Sequence, residues 1–293
     1  MIELKKIELS DYSLIKGYFD RFPSQSCDRT AGAIVMLRDY FNYHYALAGD
    51  NLVIVSPGEE HTYFYYPVGD NPEMMLDEID AYCDAEGIKP VFASLSAEEN
   101  ELLLKSYPGA ESEAERDWFD YIYDYESLTS LVGKKHAHQR NQIHKFEHDN
   151  PSYVFESITP ESIPEIKEFN RNFKFHAEKE SGSAERELAM CLEVLDNYET
   201  YNQQGALLRV DGKVVGYTIG EISGETLFVH IEKADTSYRG VYQLLSNLFL
   251  KQMADKGIRF VNREEDCGDP GLRQSKMSYA PLFLLEKYTL SVL

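Results

Sequence analysis

The sequence predicts an α/β protein, of the mixed α+β kind, in which one unit of strands and helices occurs twice. Residues 205–262 predict three antiparallel strands, a helix and a short buried strand, in that order. Residues 51–95 show the same order of elements. A chain of 293 residues, 43% of them hydrophobic, is long enough to bury two cores. We therefore expect two tandem domains, each with a mixed, mostly antiparallel sheet flanked by helices.

The second unit has the clearer signals. Asp211-Gly212 suits a two-residue turn between two strands. Residues 241–258 place apolar side chains at helical spacing, and residues 258–262 predict a buried strand. A last strand, expected within 281–290, would close this unit.

The first unit predicts strands at 51–57 and 62–68, a helix at 72–87 and a closing strand at 117–125. The helix has a proline near its start and a glycine at its end, which are typical of helix boundaries. Each predicted strand is rich in aromatic or β-branched residues. The first unit therefore matches the second in the order and type of its elements.

The two units differ in the loop that precedes the helix. AEGIKPVF (85–92) aligns with DKGIRFVN (255–262) at a separation of 170 residues, and HTYFYYPV (61–68) aligns with ETLFVHIE (225–232) at 164. The additional residues of the second unit fall within 233–243, where free N–H groups and the helix dipole would favour an anion. We expect the second unit to hold a ligand and the first to be mainly structural. A loop of variable length without function is the alternative.

The composition limits the possible partners. The chain has 50 acidic residues against 29 Lys and Arg, a formal charge of −21, which disfavours binding to nucleic acid except through a local patch. No apolar run is long enough to span a membrane, and no signal sequence is evident. The four Cys are far apart in sequence, which fits reduced thiols and argues against zinc. We expect a cytoplasmic protein without a metal; the oligomeric state is not indicated.

One basic segment contrasts with this acidity, because residues 127–146 contain no Asp or Glu. If residues 128–146 form one helix, an apolar stripe can pack while the cations project from its flanks. We predict that Lys134, Arg140 and Asn141 form an anion site that faces the ligand of the second unit. A solvated basic face is the alternative.

A second polar segment follows the buried strand 258–262, at the edge where ligands of open α/β sheets bind. Glu264, Glu265 and Asp266 are candidates to deprotonate an incoming amine. Arg273 and Lys276 are candidates to bind an anion or to pair with those carboxylates. A surface loop of ion pairs is the alternative.

Three segments carry a family resemblance. YRGVYQ (238–243) resembles, in degenerate form, the pyrophosphate loop of the GNAT acyltransferases. ESLTSLVGKKHAHQRNQIHKFEHDNPSY (126–153) and NREEDCGDPGLRQSKMSYAP (262–281) resemble two signature segments of the phosphatidylglycerol lysyltransferase C-terminal-domain-like family. The resemblance covers the whole chain. It implies two tandem GNAT-like domains, 1–125 and 126–293, the second entered through a basic helix at 127–148.

The resemblance also implies acyl or aminoacyl transfer, from an acyl-CoA or an aminoacyl-tRNA. A coenzyme A donor would lie along one strand and the loop after it, so the implied cofactor residues are His230, Ile231, Glu232, Ser237, Tyr238, Arg239, Gly240, Val241 and Tyr242. Tyr279 or Tyr288 would protonate a leaving thiolate, although a buried structural tyrosine is an equal alternative for each.

Three functions stay open at this point. The first is a soluble acyltransferase that moves an acyl group from a CoA thioester to an amine acceptor. The second is an aminoacyl-tRNA-dependent aminoacyltransferase, for which the net charge of −21 is unfavourable. The third is a non-catalytic relative that binds a ligand.

Overall fold

The computed structural model describes residues 2–173 and 183–293. They form two compact units. Unit 1 contains the residues up to Asp120 together with Glu265–Pro270 and Leu284–Leu293, and unit 2 contains Tyr121–Glu264 and Gly271–Phe283. Within the described residues, no helix has the length and apolar character that crossing a membrane requires.

The secondary structure alternates short strands and helices. The strands are β1 (Lys5–Lys6), β2 (His44–Ala48), β3 (Asn51–Pro57), β4 (Thr62–Tyr65), β5 (Val68–Gly69), β6 (Val91–Leu95), β7 (Glu111–Ala114), β8 (Asp120–Asp124), β9 (Val154–Ser157), β10 (Gln204–Val210), β11 (Lys213–Ser223), β12 (Thr226–Ala234), β13 (Phe260–Asn262), β14 (Phe283–Leu285) and β15 (Tyr288–Ser291). The α-helices are α1 (Tyr12–Arg21), α2 (Ala31–Met36), α3 (Pro72–Glu86), α4 (Ala97–Ser106), α5 (Tyr125–Ser130), α6 (Ala137–Asp149), α7 (Ile163–Asn172), α8 (Ser183–Asp196), α9 (Tyr198–Tyr201), α10 (Val241–Gln252) and α11 (Pro270–Ser278).

The sheet of unit 1 has the strand order β1-β2-β3-β4-β6-β15-β7, with β5 paired to β3. Its parallel pair is β4 and β6, while β2, β3 and β15 pair antiparallel with their neighbours. Helix α3 lies where the sequence predicts it: Asn71 caps its start, and Gly87 ends it at φ 68°. The core beneath it is aromatic and aliphatic, with Phe64, Ile79 and Phe92 fully buried. Unit 1 therefore has its own hydrophobic core.

The sheet of unit 2 has the order β14-β8-β13-β12-β11-β10-β9. Its parallel pair is β12 and β13, and the meander β10-β11-β12 is antiparallel. Helix α10 contributes Leu244 and Leu245 to a core that also contains Phe146 and Leu208. The predicted fold class, two mixed sheets flanked by helices, is confirmed.

The repeat extends to the backbone conformation. Ser94 has φ 55° and Glu264 has φ 59°, although neither is glycine. These residues are 170 positions apart, the same separation at which the two parallel strands β6 and β13 align. Left-handed non-glycine residues are strained and concentrate at functional sites. Each unit therefore bends its backbone in the same way just beyond its parallel strand pair.

Two expectations are wrong in detail. The basic segment is not one helix, because Leu131 (φ 51°) and Gly133 (φ 93°) break it between α5 and α6. The closing strands also pair differently from the prediction: β8 joins the sheet of unit 2, and β15 joins the sheet of unit 1. Local sequence patterns identify a strand but not the strand with which it pairs. The sequence therefore did not predict that residues 265–270 and 284–293 belong to unit 1. The domain boundary predicted after residue 125 stays a prediction; the first segment of unit 1 ends at Asp120.

Candidate active site

Unit 2 places charged side chains beyond the parallel part of β12 and β13, as open α/β sheets do for their ligands. The two strands pair from Thr226 to Phe228 and from Phe260 to Asn262. His230 and Glu232 continue along β12, and Arg263 and Glu264 follow β13. The structure thus brings His230 and Glu264, which the sequence predicted separately, into direct contact.

His230 lies between two carboxylates. Its Nδ1 is 2.7 Å from Glu264 Oε1, and its Nε2 is 3.4 Å from Glu221 Oε2. The imidazole is fully buried, whereas a quarter of the Glu264 side chain is exposed. Burial disfavours the charged ring, but the hydrogen bonds to Glu221 and Glu264 outweigh burial and raise the pKa of His230 to about 9. At neutral pH the ring is an imidazolium, and Glu264 is the member of the cluster that a ligand can reach.

This raised pKa predicts a pH dependence of stability. A folded-state pKa of about 9 against an ordinary 6.5 means that the contribution of His230 is complete below about pH 6.5 and is lost as the pH rises through about 9. The full contribution is roughly 3 kcal/mol. Urea unfolding at pH 6 and pH 9.5 should show a steeper loss for the wild-type protein than for His230→Gln. His148→Gln is the matched control, because His148 contacts Asp149 at the exposed surface. Equal pH slopes for wild type and His230→Gln would contradict this assignment.

Beside this cluster, Arg263 and Glu232 form a buried ion pair. Arg263 Nη2 donates to Glu232 Oε1 at 2.7 Å, and the guanidinium lies 4.9 Å from the ring centre of Tyr279. Burial raises the pKa of Glu232, although Arg263 opposes that shift. Glu232 Oε2 is buried and has no hydrogen-bond partner among the described residues. Tyr279, predicted as a proton donor, is itself buried, and burial raises its pKa.

Lys276 supports the strained backbone at Glu264. Its ammonium donates to the carbonyl oxygens of Arg263 (2.6 Å) and Glu264 (3.2 Å) and lies 5.7 Å from the ring centre of Tyr121. Tyr123 in turn donates its hydroxyl hydrogen to the Lys276 carbonyl. In this structure Lys276 holds the loop that carries Glu264, and its buried ammonium contacts backbone oxygens.

The loop before α10 is packed against helix α6. Gly240 has φ 88°, and a Cβ atom on it would lie 2.1 Å from the carbonyl oxygen of Gln142. Arg239 Nε donates to Gln142 Oε1 at 3.0 Å. The close approach that Gly240 permits is therefore an approach to α6.

Three backbone N–H groups of the same loop already have acceptors within it. Ser237 N donates to Asp235 Oδ1, Tyr238 N to the Asp235 carbonyl and Val241 N to the Tyr238 carbonyl. These three N–H groups are therefore not available to a pyrophosphate bound at this place. Tyr242 is half-buried, and burial raises its pKa to about 12. Ile231 is buried in the strand that precedes the loop.

The basic segment is divided between structural and exposed residues. Arg140 donates through Nη1 to the carbonyl oxygens of Leu131 and Gly133, and so closes the turn between α5 and α6. Lys134 and Asn141 are exposed. The anion site predicted at Lys134, Arg140 and Asn141 stays a prediction; in this structure the Arg140 guanidinium stabilises the turn.

Two further predicted residues are Asp266 and Arg273. Asp266 belongs to unit 1, where it is fully buried and pairs with Arg116 at 3.1 Å. Arg273 is half-buried on α11. Glu221, across from β12 on β11, is the cluster member that the sequence analysis missed. The antiparallel pairing of β11 with β12 places it there, and no local signal marks it.

The match to known families covers nearly the whole chain. A family model described as "Phosphatidylglycerol lysyltransferase, C-terminal" matches residues 19–291. The chain belongs to this family. An uncharacterized curated relative from Mycoplasmoides gallisepticum is 22% identical over 180 residues, which cover 59% of this chain and 56% of the relative. The chain thus matches about half the length of that curated relative.

Solved structures extend the comparison for this lysyltransferase-family chain. A conserved protein of unknown function from Bacteroides thetaiotaomicron is 30% identical, with 100% of both chains covered and a TM-score of 0.93. L-PGS from Bacillus licheniformis is 15% identical, covering 95% of this chain and 91% of that chain, with a TM-score of 0.69. FemX is 10% identical, covering 99% and 97%, with a TM-score of 0.65. At such identities the last two show a shared fold.

Unit 1 of this family member contains a buried ionic cluster that the sequence analysis did not predict. Lys287 Nζ lies 2.6 Å from Asp28 Oδ2, 2.7 Å from Asp120 Oδ1 and 3.2 Å from Cys27 Sγ. Ligand atoms of Cys27, Asp120 and Glu265 lie within 4.8 Å of one another, close enough to hold a metal ion. The Lys287 ammonium already contacts these groups, so it supplies the positive charge there. The expectation of no metal stays a prediction.

Proposed function

We propose that the chain is an aminoacyltransferase that uses an aminoacyl-tRNA donor and an amine acceptor. One observation carries the choice of donor: the loop before α10 uses the N–H groups of Ser237, Tyr238 and Val241 internally and packs Gly240 against Gln142. These three groups, and the face of Gly240 that packs against α6, are therefore not available to a CoA pyrophosphate. Membership of the lysyltransferase family and the shared fold with L-PGS and FemX support the same choice.

The His230 cluster supplies acid–base chemistry suited to this reaction. An amine acceptor enters as an ammonium and must lose a proton before it can attack the ester carbonyl. Glu264 is the accessible carboxylate, and the His230 imidazolium behind it fixes its orientation through the 2.7 Å hydrogen bond. In this proposal Glu264 is the general base that takes the ammonium proton, and His230 is a positioning residue. The amine nitrogen then bonds to the carbonyl carbon, the ester C–O bond breaks, and the tRNA hydroxyl leaves with the proton that the new amide nitrogen loses.

The RNA contact is assigned to the exposed cations of the basic segment. Lys134, Lys135 and His138 are exposed, and Lys145 pairs with Asp149 at the surface. In a chain of net charge −21, such a patch is the part of unit 2 that attracts a phosphate backbone. Arg140 is engaged with the turn and is not required for this contact.

The base is tested by aminoacyl transfer from charged tRNA to a panel of small amines. Glu264→Gln should lower the rate about 10²- to 10⁴-fold, the range of general acid–base catalysis. Glu225→Gln is the matched control, because Glu225 pairs with Arg259 at the surface of the same unit. Wild-type turnover that survives Glu264→Gln would remove Glu264 as the base.

The donor is tested by binding. The triple variant Lys134→Glu, Lys135→Glu and Lys145→Glu should abolish salt-sensitive tRNA binding and leave the melting temperature unchanged. We expect millimolar coenzyme A to leave the wild-type melting temperature unchanged as well, since a ligand of the native state would raise it. A clear rise with coenzyme A would restore the CoA-dependent reading. Absence of transfer with every donor, in a folded protein that binds tRNA, would favour the non-catalytic alternative.

A further inference from the structure

Unit 1 contains a cavity of about 160 Å³. Its wall combines serine hydroxyls with charges of both signs: Ser24, Gln25, Ser26, Arg29, Ser94, Ser96, Glu99, Leu285, Glu286 and Lys287. The volume resembles that of cavities that hold a small organic molecule. The sequence predicts a mainly structural role for unit 1, and no part of the proposed transfer reaction uses this cavity.

The cavity occupies the same place in unit 1 as the His230 cluster does in unit 2. Ser94 lines it and follows the parallel pairing of β4 with β6, which runs from Val91 to Ala93. Ser94 is also the repeat equivalent of Glu264, with the same left-handed backbone. Beyond the ends of parallel strands is where ligands of such sheets bind. The fold therefore provides two equivalent positions for ligands, one in each unit.

Arg29 is the anchor that the cavity offers to a ligand. Its side chain is 10% exposed, and Nη2 donates to Glu99 Oε1 at 2.6 Å. Within the described ranges, this guanidinium contacts Glu99 through one of the five N–H donors of its planar fork. Glu99 is itself fixed, because its Oε2 accepts from Ser96 N in the capping box of α4. Most of the Arg29 donors are therefore available to an acceptor in the cavity.

The surrounding charges decide which anion fits. Lys287 also lines the cavity, but Asp28 and Asp120 already hold its ammonium. The lining cations Arg29 and Lys287 are balanced by Glu99 and Glu286, and the carboxylates of Asp28 and Asp120 also contact Lys287. A phosphate dianion would be repelled by this acidity, whereas a carboxylate adds one charge and matches the guanidinium fork.

We propose that this cavity of unit 1 binds a small carboxylate, held by Arg29. The ligand is either a simple organic acid or a free α-amino acid, since both present the same group. An α-ammonium would be met by Glu99 and by the serine hydroxyls that line the cavity.

Titration calorimetry on the full chain tests the proposal with propionate, propionamide, alanine and inorganic phosphate as probes. Propionate or alanine should bind, and propionamide and phosphate should not. Tighter binding of alanine than of propionate identifies an amino acid site, and the reverse order identifies a simple acid site. No heat and no shift of the melting temperature with either carboxylate, at tens of millimolar, would overturn the proposal.

Variants separate binding from damage to the fold. Arg29→Lys keeps the charge but not the fork, and should weaken propionate binding about tenfold. Glu99→Gln keeps the capping box and removes the competing carboxylate, so it should tighten propionate binding several-fold, a gain that unfolding cannot produce. Arg21→Lys is the control, because Arg21 pairs with Asp50 and Asp70 at the surface of the same unit. Unchanged propionate affinity in both Arg29→Lys and Glu99→Gln would contradict the role of Arg29.

Discussion

Lys287→Met should lower the free energy of unfolding by about 3–5 kcal/mol near neutral pH, the cost of removing one partner of a buried ion pair. The Lys287 side chain is 5% exposed and contacts Asp28 and Asp120, and the Asp120 side chain is fully buried. Burial disfavours the ammonium, but Asp120 and Asp28 outweigh it, so the pKa of Lys287 is well above its usual value. Without this ammonium, unit 1 would hold uncompensated carboxylates in its interior.

The pH dependence of the variant distinguishes this cause from lost packing. In Lys287→Met, a buried Asp120 carboxylate without its cation gains a raised folded-state pKa, so stability should recover as the pH falls from 7 to 5. The wild-type protein has no such recovery from Lys287, which stays charged throughout that range. Lys16→Met, which breaks the exposed pair with Asp20, is the control and should cost less than about 1 kcal/mol. A pH-independent deficit in Lys287→Met would assign the loss to packing alone.

Much of the fold could be predicted because its signals are local. Pro72 and Gly87 predict the boundaries of the helix at 72–87, and Asp211-Gly212 predicts a turn in the meander of unit 2. The chain repeat then fixes the order of elements. The breaks at Leu131 and Gly133 were missed because the spacing of apolar residues shows only which side chains can share a helix face. It does not show where a residue adopts the left-handed conformation that ends a helix.

Site residues could be predicted only where they lie at or just after the end of a predicted strand. His230, Glu232 and Glu264 lie at the end of a predicted strand or just after one, so their place in unit 2 was readable. The position of Glu221 could not be predicted, because its contact with His230 depends on the register between β11 and β12. The Lys287 cluster joins Cys27, Asp120 and Glu265, which are remote in sequence, and no spacing rule connects them.

Gly240→Ala should destabilise unit 2 by about 3 kcal/mol or more, because two penalties coincide at this residue. A side chain at φ 88° is strained, and its Cβ would lie 2.1 Å from the carbonyl oxygen of Gln142, which is backbone and cannot rotate away. Gly212→Ala is the matched control, since Gly212 has φ 77° with no atom within 4 Å, and should cost only about 1 kcal/mol from the backbone. Denaturant unfolding of both variants measures the difference, which isolates the contact of the loop with α6. Equal costs would mean that the loop can leave α6, and its N–H groups would again be candidates for a CoA pyrophosphate.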